Sequence, residues 1–165
     1  MRGKTRLLVI LVLAVALLTA FVPVAGLAEG NKTYFTGEEC WVADLAPGLW
    51  EPLGNGKFRV TGMEQQFTDD TDDPRTTGDT YIVVNAVLDP NTFSGPMHGT
   101  FEIVNDQGSW SGHWVGQLDY GASSIHAVGH GSGAYEGLVG YWTYNRPGPW
   151  ACFTIDGYIV ETGGE

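Results

Sequence analysis

Positive charge is scarce in this chain. Lys and Arg number 8 against 19 Asp and Glu, for a formal net charge of −11. Three of those bases, Arg2, Lys4 and Arg6, crowd the start, so the remainder is more acidic still. Phosphate binding needs a basic footprint, so a nucleic-acid partner is excluded and anionic membrane surfaces are disfavoured. Cysteine is almost absent, with Cys40 and Cys152 alone. They form no Cys-x-x-Cys element, which excludes the common thiol redox motif. Helical periodicity is missing after residue 28. So are a nucleophile elbow and any Ser–His–Asp order. No motif implies a cofactor.

What is present begins with an export signal. The basic start is followed by an uncharged apolar run, Leu7–Val22. That run is shorter than the ~20 residues a spanning helix needs. Pro23-Val24-Ala25-Gly26-Leu27-Ala28 then offers small residues at Gly26 and Ala28, which suits cleavage after Ala28. Residues 1–28 therefore read as a cleaved signal peptide and the protein as secreted, with no membrane association after cleavage. Residues 29–56 read as a lead-in carrying the first strand, and 57–165 as the remainder of one β domain. An even cysteine pair in an exported chain is most simply a disulfide, so Cys40 and Cys152 are expected to be joined.

Glycine supplies 24 of the 165 residues, about twice its usual ~7% share. It comes with six Trp, seven Tyr and seven Phe, which favours packed strands over disorder. Gly, Pro, Asn and Asp punctuate eight candidate strands: 40–43, 57–68, 80–88, 99–104, 109–118, 124–130, 135–144 and 153–161. Ala46 to Gly56 reads as a loop. An all-β domain with short turns follows, a sandwich or a closed barrel. One hairpin is specified in detail. Around Asn105-Asp106-Gln107-Gly108, pairing Val104 with Ser109 sets Ile103 opposite Trp110, Phe101 opposite Gly112 and Gly99 opposite Trp114. Those six share an apolar face, and Thr100, Glu102, Ser111 and His113 share a polar one. A one-residue slip would put both Trp rings in water, so the register is strongly set.

The runs Gly108-Ser109-Trp110-Ser111-Gly112-His113-Trp114-Val115-Gly116 and His130-Gly131-Ser132-Gly133-Ala134-Tyr135-Glu136-Gly137-Leu138 resemble the core of the allene oxide cyclase and dirigent superfamily. The resemblance spans roughly residues 57–161 and is greatest to its secreted bacterial members. It implies a single antiparallel eight-stranded β-barrel with an apolar interior, and a homo-oligomer, since several members are dimers or trimers. The family's catalytic residues do not map one by one onto this chain.

Phe101, Ile103, Trp110 and Trp114 are the candidate ligand-binding residues; the other reading is that they fill the interior. Glu136, read as sharing a face with Leu138, Gly140 and Trp142, is the candidate inward carboxylate and catalyst. Asp69, Asp70, Asp72 and Asp73 form the candidate calcium loop, although they lack EF-hand spacing. His98, His113 and a carboxylate form a weaker candidate zinc site. Three functions are carried forward. The first is a secreted barrel binding a small apolar or aromatic ligand. The second is a cyclase- or isomerase-like enzyme using the same interior. The third is an extracellular structural or glycan-interaction protein using exposed Trp50, Trp142 or Trp150.

Overall fold

The computed structural model describes residues 31–162, so the expected signal peptide lies outside the described residues. Nine strands follow in chain order: β1 (Lys32–Ala46), β2 (Leu49–Pro52), β3 (Phe58–Thr71), β4 (Gly78–Leu88), β5 (Gly95–Val104), β6 (Gly108–Asp119), β7 (Ala122–Gly133), β8 (Leu138–Arg146) and β9 (Phe153–Glu161). No helix occurs among the described residues. The strands form one antiparallel sheet in the order β1-β9-β8-β7-β6-β5-β4-β3-β2. A further β1–β3 pairing closes that sheet in a ring.

Each of the eight expected segments overlaps a strand; the segment 135–144 begins three residues early, in a turn, and several strands are longer than expected. Lys32–Glu39 extends the first one, and Asp69–Thr71 extends the third. The segment read as a loop, Ala46 to Gly56, contains β2, which pairs only with the first part of β3. Bulges bend the closing strands. In β3 the register shifts between Val60 and Met63, where Gly62 has a left-handed backbone (φ 65°) and donates its N–H to Asn85 Oδ1 at 3.1 Å. Bulges increase local twist and curvature, which lets a flat ribbon turn back on itself.

The β5–β6 hairpin has the register that alternation dictates. Ile103 pairs with Trp110, Phe101 with Gly112 and Gly99 with Trp114. Phe101, Ile103, Trp110 and Trp114 are buried, while Thr100, Glu102, Ser111 and His113 are exposed. Glycine makes room for those rings. A Cβ on Gly99 would lie 2.9 Å from the Trp114 ring and would also collide with the Val83 carbonyl oxygen; one on Gly129 would lie 2.7 Å from Phe101 Cζ.

The interior is filled at one end only. Trp110 stacks on Tyr135 and meets Trp142 edge-on, each with centroids 5.4 Å apart. Trp142 in turn meets Phe35 at 6.0 Å. Pairs of this geometry contribute about 0.5–1.5 kcal/mol beyond their area burial. This aromatic plug is tied to the loops over it. The Trp110 indole N–H donates to the Arg75 carbonyl at 2.7 Å, and Tyr135 Oη donates to Asn105 Oδ1 at 2.8 Å. The Asn105 side-chain amide also donates to the Thr77 carbonyl at 2.9 Å.

Cys40 and Cys152 form the expected disulfide across 112 residues of sequence. It fastens β1 to the segment entering β9, next to the strand pair that begins the ring. A crosslink of this span typically contributes about 2–5 kcal/mol.

Because Gly99 faces both backbone and ring, Gly99→Ala is expected to destabilise the domain by about 1–3 kcal/mol or more. Urea unfolding followed by Trp fluorescence measures this, with Gly54→Ala, which meets nothing within 4 Å, as the near-neutral control.

Candidate functional site

The end of the ring opposite the plug is open. A cavity of about 520 Å³ enters there, walled by apolar side chains such as Phe67, Val84, Phe101, Trp114, Leu118 and Ala127. This volume falls within the range of small-molecule sites. The sequence candidates divide between the two ends. Phe101 and Trp114 line the cavity, whereas Ile103 and Trp110 are fully buried in the plug and do not line it. The Trp114 indole N–H donates to the Thr100 carbonyl at 3.1 Å, which fixes its ring against the wall.

Trp41, Trp50, Phe93 and Trp150 line the mouth. Among the described residues three that are not glycine have left-handed backbone, Phe93 (φ 52°), Tyr120 (φ 48°) and Trp150 (φ 68°), and all are exposed aromatics in loops at this end. Tyr120 and Gly121 (φ 84°) form the two-residue turn between β6 and β7, where two positive φ values match the twist of a hairpin. Phe93 closes the β4–β5 loop by donating its N–H to the Asp89 carbonyl at 2.8 Å. Such conformations cost free energy and persist where the surroundings hold them; they concentrate at ligand sites.

Glu39, Thr80, Ser123, Tyr144 and Arg146 interrupt the apolar lining. Glu39 is buried on β1 directly opposite Asp69 on β3, which is completely buried. Neither Asp69 carboxylate oxygen meets a donor in good hydrogen-bond geometry. Burial pushes the Asp69 carboxyl up to about 7, held back by the neighbouring Thr80, Glu39 and Tyr144 side chains. Burial also raises Glu39 well above the carboxylate range, and Asp69 beside it adds to the rise. Burial and the same two acids lift the Tyr144 phenol above its ordinary value. Two like charges this close in a dry interior cannot both form easily, so ionisation of one acid opposes that of the other and the two titrate as a unit. Near neutral pH the pair holds an acid and a base side by side, an arrangement able to give and accept a proton.

Neither acid was identified as an inward pair from sequence. The strand expected at 40–43 started one residue after Glu39, and the strand expected at 57–68 ended one residue before Asp69. Asp69 therefore reads as a loop acid, and Glu39 falls outside every expected strand. The available signal was alternation carried two residues further, from Phe35 and Gly37 to Glu39 and from Phe67 to Asp69.

The other candidates are corrected. Glu136 is exposed, because Tyr135, Glu136 and Gly137 belong to the turn before β8, where strand alternation does not apply. The four loop acids do not converge. Asp69 points inward, Asp70 is exposed, and Asp72 accepts the Thr36 N–H at 2.8 Å. Asp73 pairs with Arg75 at 2.6 Å. His98, His113, His126 and His130 are all exposed. Among the described residues no three His, Cys, Asp or Glu side chains are placed to hold a metal. Trp142, counted among the exposed tryptophans, is buried, whereas Trp50 and Trp150 are exposed. Comparison with known proteins finds no matching family, no similar curated protein and no similar solved structure.

The acid pair imposes a pH dependence on stability. From about pH 4, where an unfolded Asp ionises, to about 7, the folded chain retains a proton that the unfolded chain has lost. Stability is therefore full below that window and falls as pH rises through it. Asp73, whose carboxyl Arg75 holds below its usual range, acts in the opposite sense but only at lower pH. Denaturant unfolding at pH 5 and pH 8 should show a loss on the order of a few kcal/mol. Asp69→Asn is expected to remove the Asp69 share of that difference and to leave the share that burial gives Glu39.

Proposed function

We propose that this chain is a secreted β-barrel protein that binds a small apolar or aromatic ligand in the open half of its interior. The observation that carries this reading is the cavity of about 520 Å³ beside Phe101 and Trp114, with a mouth rimmed by aromatic side chains. Burying an apolar ligand against such walls is favourable by roughly 25 cal/mol per Å² of apolar surface removed from water. The basic start, the apolar run Leu7–Val22 and the small residues before Glu29 support export, and the disulfide is compatible with an oxidising compartment. Among the described residues no helix is long and apolar enough to cross a membrane. The Gly-Ser-Trp and Gly-Ser-Gly-Ala-Tyr runs support a place beside the secreted allene-oxide-cyclase-like barrels, some of them oligomeric.

A second reading is favoured by one observation, the buried and coupled acids Glu39 and Asp69 facing each other next to the cavity. In that reading the protein is an isomerase- or cyclase-like enzyme, with Glu39 taking the part first assigned to Glu136. Turnover that survives both Glu39→Gln and Asp69→Asn would remove it.

The binding reading is tested with the chain from residue 29 onward and the neutral fluorophore N-phenyl-1-naphthylamine. Saturable fluorescence enhancement is expected. Ala127→Trp, which fills the cavity from its wall, should raise the dissociation constant at least tenfold while circular dichroism stays β-type. Absence of saturable binding to the wild-type chain would overturn the proposal.

A further inference from the structure

Arg146 is the one guanidinium on the cavity wall. It is the last residue of β8, two positions beyond Tyr144 and four beyond Trp142, so alternation carries it inward at the open end. Three features define its surroundings. Its Nη2 donates to Ser123 Oγ at 3.2 Å, and Ser123 is itself buried. Its Cζ lies 4.8 Å from the centre of the Phe153 ring, so the guanidinium rests against that aromatic face. Its Nε is buried with no acceptor. A guanidinium has five N–H donors and remains charged under all ordinary conditions.

No carboxylate neutralises this charge directly. The single ion pair among the described residues, Arg75–Asp73, is at the plugged end. Glu39 is the acid that Arg146 feels most, yet burial and the adjacent Asp69 keep Glu39 protonated where an ordinary carboxyl would ionise. The result is a cation held by a hydroxyl and an aromatic face, with unused donors, in a cavity whose wall is mostly apolar apart from Glu39, Asp44, Gln65, Thr80 and Tyr144. An uncompensated charge there is costly, and a charge-assisted, fork-shaped contact to an anion offsets that cost.

Resting on the ligand-binding reading above, we infer that Arg146 anchors the head of the ligand, and that the cavity selects apolar or aromatic molecules bearing one carboxylate or sulfonate. The apolar body lies against Phe101, Trp114 and Leu118, and the anionic head meets Arg146. A ligand with a cationic head is rejected by the same charge.

The test uses two probes that share a ring system. 8-Anilinonaphthalene-1-sulfonate carries a sulfonate, and N-phenyl-1-naphthylamine is the same skeleton without it. The wild-type chain is expected to bind the sulfonate at least tenfold more tightly than the neutral compound. Arg146→Gln should weaken sulfonate binding at least tenfold more than it weakens neutral binding, which a general loss of structure would not do. Arg146→Lys keeps the charge but loses the fork and should give an intermediate ratio. Equal affinities for the two probes in the wild-type chain, or a ratio that neither variant changes, would overturn the anchor while leaving the cavity reading intact. If neither probe binds the wild-type chain, the cavity reading falls and the anchor with it. If Arg146→Gln does not fold, the wild-type ratio and that of Arg146→Lys decide the matter.

Discussion

Large rings inside a narrow closed sheet need a neighbour without a side chain, and this requirement organises the molecule. Trp114 lies over Gly99, Phe101 over Gly129, Phe35 over Gly157 and Trp142 over Gly140. Each glycine stands where a Cβ would meet the ring. Glycine at these four positions is thus a packing requirement: it lets aromatic side chains occupy an interior that an ordinary sheet would crowd. Interiors are close-packed, so a single methyl at such a position has nowhere to go.

That constraint also divides the interior into two unlike halves. At one end Phe35, Trp110, Tyr135 and Trp142 pack ring against ring, and hydrogen bonds to Arg75 and Asn105 seal the plug under the loops. At the other end smaller side chains such as Val84, Leu118 and Ala127 face the interior, and the space stays open. Cys40 and Cys152 border this open half and hold together the strands that frame it. Between plug and mouth stand the side chains with chemistry: Glu39, Asp69 and Tyr144 toward the interior, Arg146 and Ser123 nearer the entrance. Their altered proton affinities come mainly from the dryness that the aromatic walls create.

The fold was largely legible in the amino-acid sequence because period-two alternation is strong where Trp and Phe alternate with Ser, Thr and His. The β5–β6 register follows from that pattern alone, and the disulfide from an even cysteine count in a chain whose start reads as an export signal. The site was only half legible. Alternation gives inside and outside but not height along the ring. It could not separate Phe101 and Trp114 on the cavity wall from Ile103 and Trp110 in the plug. Strand ends are set by pairing partners distant in sequence, so Glu39 and Asp69 fell just beyond the expected strands and Glu136 just inside one. β2 was missed because Pro47, Gly48 and Pro52 read as a loop, while its ladder to β3 supplies the bonds.

The ring is filled at one end and holds an accessible apolar space at the other. A crystal of the protein pressurised with xenon tests this most directly, since xenon enters dry apolar cavities and leaves packed interiors empty. Xenon is expected between Trp114, Phe101 and Leu118, and none among Trp110, Tyr135 and Trp142. Xenon absent from the first position, with side chains collapsed into that space, would contradict it.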